Sequence, residues 1–297
     1  MAMQPPSAPA PLPVLPARRS RMLRGEKRGI WVATISSIAI IGLLVLVVVL
    51  APGSDQVGHF LLAKRHLKGA ILGTNLTEPV PVAFFKVTVR MFLLAEALVL
   101  VLALFLAVVR SLPGPAFLPF RILTIAYIDL FRGIPLLLVM AIIGFGLPGM
   151  NLGFISRQSQ FVYGVAALTL VYSAYVAEVY RAGIESVHQS QTAAARSLGL
   201  SRGQALRYVI LPQAIRRVIP PLLNDFIGLQ KDTALVAFIG LVEVVRTAQA
   251  YSTTYFNFAG YTVASALFIL ITIPLARLTD WLIARDQRKM RATGGVR

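Results

Sequence analysis

Glu96 stands alone in an otherwise uncharged run from Met91 to Val109, and Asp225, Lys231 and Asp232 interrupt a second apolar run from Pro220 to Leu241. A charge at the centre of a lipid-spanning helix costs about 2.5–3.5 kcal/mol on insertion scales, so such a group needs a partner or has a task. Helical neighbours of Glu96 at three and four residues are Phe92, Leu93, Val99 and Leu100, so a partner has to come from another helix. Lys231 is the candidate; the alternative is a neutral, protonated Glu96 in an apolar packing surface. Lys231 and Asp232 are consecutive and do not face each other on a helix, so each needs its own partner. Asp129 with Arg132, and Glu178 with Arg181, have i, i+3 spacing, which predicts surface pairing at the cytoplasmic face.

Other chemistries are excluded or weak. There is no cysteine and there are three scattered histidines, His59, His66 and His188, so disulfides, thiolate nucleophiles and cysteine-ligated zinc are out and a metal site is not expected. No lysine follows a glycine, so the chain lacks a phosphate-binding P-loop, and energy for any pumping has to come from ions or from a partner. Gly144 to Gly149 matches G-x-G-x-x-G, but that pattern binds a dinucleotide only between a strand and a helix N-terminus. Here it reads as the outer end of a membrane helix. Asn75-Leu76-Thr77 is a formal glycosylation tripeptide of the kind that arises by chance.

The elements that carry these groups are membrane helices. Of 297 residues 57% are hydrophobic and 14% charged, with mean hydropathy +0.73, which leaves too little polar surface for a soluble globule. Six runs long enough to cross the hydrocarbon core are expected at Ile30–Leu50, Met91–Val109, Gly133–Ser156, Gln158–Ala177, Pro220–Leu241 and Thr247–Ala276. The fold class is therefore an all-α integral membrane protein. A formal charge of +17 is what cytoplasmic loops of such a protein carry. Basic residues Arg18, Arg19, Arg21, Arg24, Lys27 and Arg28 precede the first run, and Arg285, Arg288, Lys289, Arg291 and Arg297 follow the last. Both termini are thus expected in the cytoplasm. The outer loop Ala51–Ala83 breaks the rule with Lys64, Arg65 and Lys68; it reads as an amphipathic helix on the outer interface, or else the first span is misplaced. That first span is too long for a signal-peptide core and reads as an uncleaved anchor. Residues 1–17 are rich in Pro and Ala and read as an unstructured tail. No internal repeat is evident.

Between the fourth and fifth runs lies a helix pair. Gln189 to Leu198 is Ala-rich and closed by Gly199 at the C-cap position. Ser201 and Gln204 form an S-x-x-Q capping box that starts a second helix, with Leu206, Val209 and Ile210 on its apolar side, until Pro212. Helix-turn-helix units can bind DNA, but a pair tethered at both ends by membrane spans reaches a groove poorly. A protein surface is the better partner, and no nucleic acid is expected.

Gln191-Thr192-Ala193-Ala194-Ala195-Arg196-Ser197-Leu198-Gly199-Leu200-Ser201, followed by Val209-Ile210-Leu211-Pro212-Gln213-Ala214, resembles the EAA loop of ABC-importer permeases, and the polar amino acid branch fits best. Further matches lie at Tyr127–Pro135, Ala177–Gly183 and Leu229–Leu235, and the resemblance covers roughly Thr88 to Ile283. It implies a permease core over 84–284 behind one additional N-terminal helix at 30–51, a basic tail at 1–29, an extracytoplasmic loop at 52–83 and a basic C-terminal tail at 285–297. It further implies a second permease subunit, identical or related, a separate ATPase carrying ATP and Mg, and an extracytoplasmic amino-acid-binding protein, all at the plasma (inner) membrane. Gln191, Ala194, Ala195, Arg196, Gly199, Leu200 and Ser201 would then form the coupling surface for the ATPase, and Glu96, Lys231, Asp232 and Thr233 would line the substrate path. The glutamate of the motif is replaced by Ala193, so Arg196, Arg202 or Glu185 has to carry the polar contact, or a nonidentical permease partner supplies the acid. The alternative is an ion-coupled secondary transporter in which Glu96 and Asp232 carry protons or sodium. Composition does not separate the two; the helix pair does.

Overall fold

The computed structural model describes residues 19–51 and 53–294, and among them there is no strand. The unstructured tail expected at 1–17 lies outside the described residues. The chain divides into two compact units, Met1–Gly58 and His59–Arg297. In the first, α1 (Arg19–Leu50) contains an apolar stretch, Thr34–Val47, where the first crossing was expected. α2 (Ser54–Leu62) runs across the boundary, and α3 (Lys64–Leu72) belongs to the second unit.

In the second unit three unbroken helices are long and apolar enough to cross a bilayer: α4 (Val80–Ser111), α7 (Gln160–Glu185) and the segment Ala259–Arg285 of α11 (Ala259–Gly294). Two bent pairs add up to two more crossings. α5 (Pro115–Gly133) meets α6 (Leu136–Gly149) at 104°, and α9 (Arg202–Ile239) meets α10 (Val244–Tyr255) at 55°. The short α8 (Gln189–Ser197) joins α7 to α9.

Each bend has a local cause. Ile134 is extended, at φ −102° and ψ 131°, as the steric demand of the Pro135 ring on its preceding residue requires, and Pro135 has no N–H to continue the ladder. The span expected to start at Gly133 therefore starts with a corner. At the second bend Gly240 takes φ +89°, open to glycine without strain. Glu243 then caps α10 by accepting from the N–H groups of Val245 at 2.7 Å and Arg246 at 2.9 Å.

The expected crossing Thr247–Ala276 is divided. Phe256 adopts φ +48° and ends α10, and Asn257 starts α11 by accepting from the Ala259 N–H at 2.9 Å while donating to the His59 carbonyl at 3.1 Å. Gly260 lets the new helix approach the backbone of Ala248. The division was hidden because Tyr255, Phe256 and Phe258 are as apolar as the flanking helices. The end expected at Pro212 is also corrected. A π-helical turn over Leu206–Ile210 widens the backbone ahead of Pro212, and the helix continues through Pro220 and Pro221 to Asp232 and beyond.

The helix expected in the loop Ala51–Ala83 is anchored to the core. α3 packs on α10 and α11 in a cluster of Ala70, Val80, Phe84, Val244, Tyr251 and Val263 with Leu67 against it. Tyr251 Oη donates to the His66 carbonyl and Tyr255 Oη to Thr74 Oγ1, each at 2.8 Å. The larger core joins α4, α5, α6, α7 and α9 around Met91, Val99, Met140, Leu168, Val176 and Leu229.

Candidate functional site

Two places concentrate polar chemistry. The first is a cavity of about 460 Å³ at the α5–α6 corner, lined by Arg132, Ile134, Tyr172, Tyr175, Asp225 and Asp232 among others. Its parts come from three helices. Asp225 and Asp232 lie seven residues apart, two turns on one face of α9. Tyr172 and Tyr175 lie one turn apart on α7, ring centroids 6.3 Å from each other. Arg132 comes from the last turn of α5, its guanidinium carbon 5.8 Å above the Tyr175 ring.

The arrangement is only partly satisfied. Tyr172 Oη donates to Asp232 Oδ2 at 2.8 Å, which fixes that carboxylate. Asp225 Oδ2 is buried without a hydrogen-bond partner, a costly condition unless a ligand or water completes it. Two carboxylates face one guanidinium, so the cavity offers an anion a fork of donors and a cation two acceptors.

Of the four expected substrate-path residues the cavity takes in Asp232 alone. Thr233 is buried and its hydroxyl donates to the Gln230 carbonyl at 2.7 Å, an internal helix contact. Lys231 is exposed, on another face of α9, and among the described residues it makes no ion pair with Glu96. Glu96 is half-buried on α4 and the charged group acting on it is Asp225. Consecutive positions diverge by about 100° on a helix, so Asp232 turns inward and Lys231 outward. The i, i+3 expectation holds for Glu178, whose Oε1 accepts from Arg181 Nε at 2.9 Å and whose Oε2 accepts from Arg110 at 2.8 Å. It fails for Asp129 and Arg132, since the Arg132 side chain turns to Tyr175 instead. The cavity also takes in Arg132, Tyr172, Tyr175 and Asp225; of these Asp225 is marked in the sequence as a charge within an apolar run and Arg132 by its spacing from Asp129.

The second place is the elbow. His188 Nδ1 accepts from the Ser190 N–H at 3.2 Å and starts α8. Gly199 takes φ +85° at its end. The capping box is complete: Gln204 N–H donates to Ser201 Oγ at 3.3 Å and Ser201 N–H to Gln204 Oε1 at 2.8 Å. Gln191, Ala194, Arg196, Gly199 and Ser201 are exposed and Leu200 is half-buried, whereas Ala195 is buried and faces the protein. Leu198 is 85% exposed, an apolar side chain presented to solvent. The base of the elbow is fixed. Gly183 of α7 sits where any Cβ would strike Val218 of α9, and Arg217 donates to the Ser186 carbonyl. Glu185 pairs with Arg181, so it is not free to replace the missing motif glutamate, and Arg196 and Arg202 are the exposed polar groups left.

Known proteins share this architecture. Residues 117–291 match the family described as binding-protein-dependent transport system inner membrane component. The probable glutamine ABC transporter permease protein GlnM of Bacillus subtilis (strain 168) is 38% identical over 173 residues, 58% of this chain and 78% of the relative. The arginine transport system permease protein ArtQ of the same strain is 37% identical over 177 residues, 59% of this chain and 80% of the relative. A solved crystal structure described as an amino acid ABC transporter with histidines superposes with a TM-score of 0.63 at 33% identity, covering 69% of this chain and 93% of that one.

Proposed function

Because the chain belongs to the family of binding-protein-dependent transport system inner membrane components, the permeases of ABC importers, we propose that it passes a polar amino acid through the α5–α7–α9 cavity of an ATP-driven importer. The cargo arrives from an extracytoplasmic binding protein, a second permease subunit completes the membrane assembly, and ATP and Mg are bound by a separate ATPase seated on the elbow. Both termini lie in the cytoplasm of a cell whose inner membrane holds the complex, on the strength of the basic segments 18–28 and 285–297.

The observation that carries this reading is the cavity of mixed sign. An α-amino acid presents a carboxylate and an ammonium together. Arg132 supplies the bidentate donor that a carboxylate fits, and the orphaned Asp225 oxygen supplies an acceptor for the ammonium. Two acids against one base leave net negative charge, so a cationic side chain is favoured over an anionic one. The relatives named for glutamine and arginine support a cargo of this class. The ion-coupled alternative finds no support in the family assignment.

In the working cycle the ATPases close on ATP and reopen on hydrolysis, and the elbow passes that motion to α9. The test is uptake by proteoliposomes holding the full complex, with arginine, glutamine or glutamate as cargo. ATP-dependent uptake that falls in that order, and that Asp225→Asn lowers by about tenfold or more, is the expected result. Equal uptake by the variant, or accumulation driven by a cation gradient without the ATPase, would overturn it.

A further inference from the structure

We propose that a second cavity, between α3 and the tip of α10, binds the phosphate group of an anionic phospholipid. This cavity, of about 550 Å³, is lined by Arg65, His66, Lys68, Thr74, Tyr251 and Tyr255 among others. Arg65 and Lys68 lie one helical turn apart on α3, both exposed, and among the described residues neither has an acidic partner. Glu78 is the one acid between residues 59 and 79, and it sits on an adjoining hollow rather than on this one. Two cations without an acidic partner on one side of the cavity present donors to a group with several acceptor oxygens, which is what a phosphate offers.

The site is built rather than incidental. Gly69 brings α3 so close to Tyr251 that a Cβ there would meet its hydroxyl at 2.7 Å, and Gly73, at φ +80°, folds the following turn back over Pro79. Tyr251 and Tyr255 are held by the hydrogen bonds to His66 and Thr74 that anchor α3, which fixes that wall of the cavity.

The neighbouring surface favours a lipid over a soluble anion. Leu62, Ile71, Leu72 and Phe258 are exposed next to the basic pair. Exposed aliphatics, tyrosines at helix ends and unpaired Lys and Arg together are the composition of a membrane–water interface. The position of this loop also explains why it retains positive charge against the usual loop asymmetry. The proposal does not depend on which cargo the other cavity carries.

Native mass spectrometry of the purified full-length chain in nanodiscs of phosphatidylglycerol and phosphatidylcholine tests it. Wild type should retain phosphatidylglycerol preferentially, and Arg65→Gln with Lys68→Gln should lower that retention about tenfold. Lys64→Gln, on the same helix but outside the cavity, should leave it unchanged, as should millimolar inorganic phosphate. Equal retention by the double variant overturns the site, and displacement by inorganic phosphate overturns the lipid as its source. If the double variant instead weakens stimulation by the binding protein equally in both lipids, the patch serves protein docking and the proposal fails. A thermal unfolding midpoint unchanged from wild type establishes that the double variant is folded.

Discussion

The elbow and the central cavity solve opposite problems. At the elbow every strong backbone need is met within a few residues: His188 caps α8, Gly199 ends it, and Ser201 with Gln204 caps the next helix. It is complete before any partner arrives, and it shows Leu198 and Arg196 to solvent. The cavity is assembled from residues up to a hundred positions apart and is left incomplete, with an Asp225 oxygen unpartnered. Under the proposed function, a surface to be gripped is rigid and self-satisfied, and a passage that holds a solute briefly and releases it keeps an unpaired acceptor.

That contrast can be broken by variants that damage one region and spare the other. Joint replacement Asp225→Asn and Asp232→Asn is expected to have the largest effect, lowering arginine uptake about a hundredfold by removing both negative charges from the cavity. Binding of the ATPase, measured by pull-down, should be unchanged; a loss of both would merge the two regions into one. Gly199→Val should do the converse. A β-branched residue is strained at φ +85°, so ATPase recruitment should weaken about tenfold while insertion and amino acid binding by the membrane subunit persist. Gly183→Leu forces a side chain into Val218 and should lower stability by about 1–3 kcal/mol, read as a fall in unfolding midpoint together with a weaker elbow. Ser201→Ala removes a cap worth about 1 kcal/mol and should leave transport nearly intact while raising amide exchange over residues 201–206. An effect of Ser201→Ala as large as that of Gly199→Val would mean that capping, rather than turn geometry, sets the docking surface.

How much of this was legible in the chain follows the range of the interactions. The elbow was read nearly residue by residue, because caps and a left-handed glycine depend on neighbours three or four positions away. Ala195 faces inward and Glu185 pairs with Arg181, which spacing along the chain does not reveal. Apolar runs located the helices of the second unit, but not the Phe256 break, where no proline or charge interrupts the run and Phe256 itself takes the positive φ. The cavity was mostly illegible. Arg132 was read as the partner of Asp129 because spacing along one helix was visible, and the Tyr175 ring on another helix was not. Lys231 was matched to Glu96 on charge alone, although its neighbour Asp232 is the residue that faces the interior. Glu243 went unnoticed at the edge of an apolar run, yet it is 1% exposed and starts α10, with Thr88 Oγ1 at 3.5 Å from Oε2.

The uninterrupted course of α9 has a mechanical consequence. Ser201 caps one end, and Asp225 and Asp232 stand about 36 and 46 Å along the helix at the usual rise per residue. If an ATPase docks at the elbow as proposed, torque applied there arrives at the carboxylates through a single shaft. Its compliance is concentrated at Pro220 and Pro221, where two backbone donors are missing, so this joint decides whether the far end swings or merely slides.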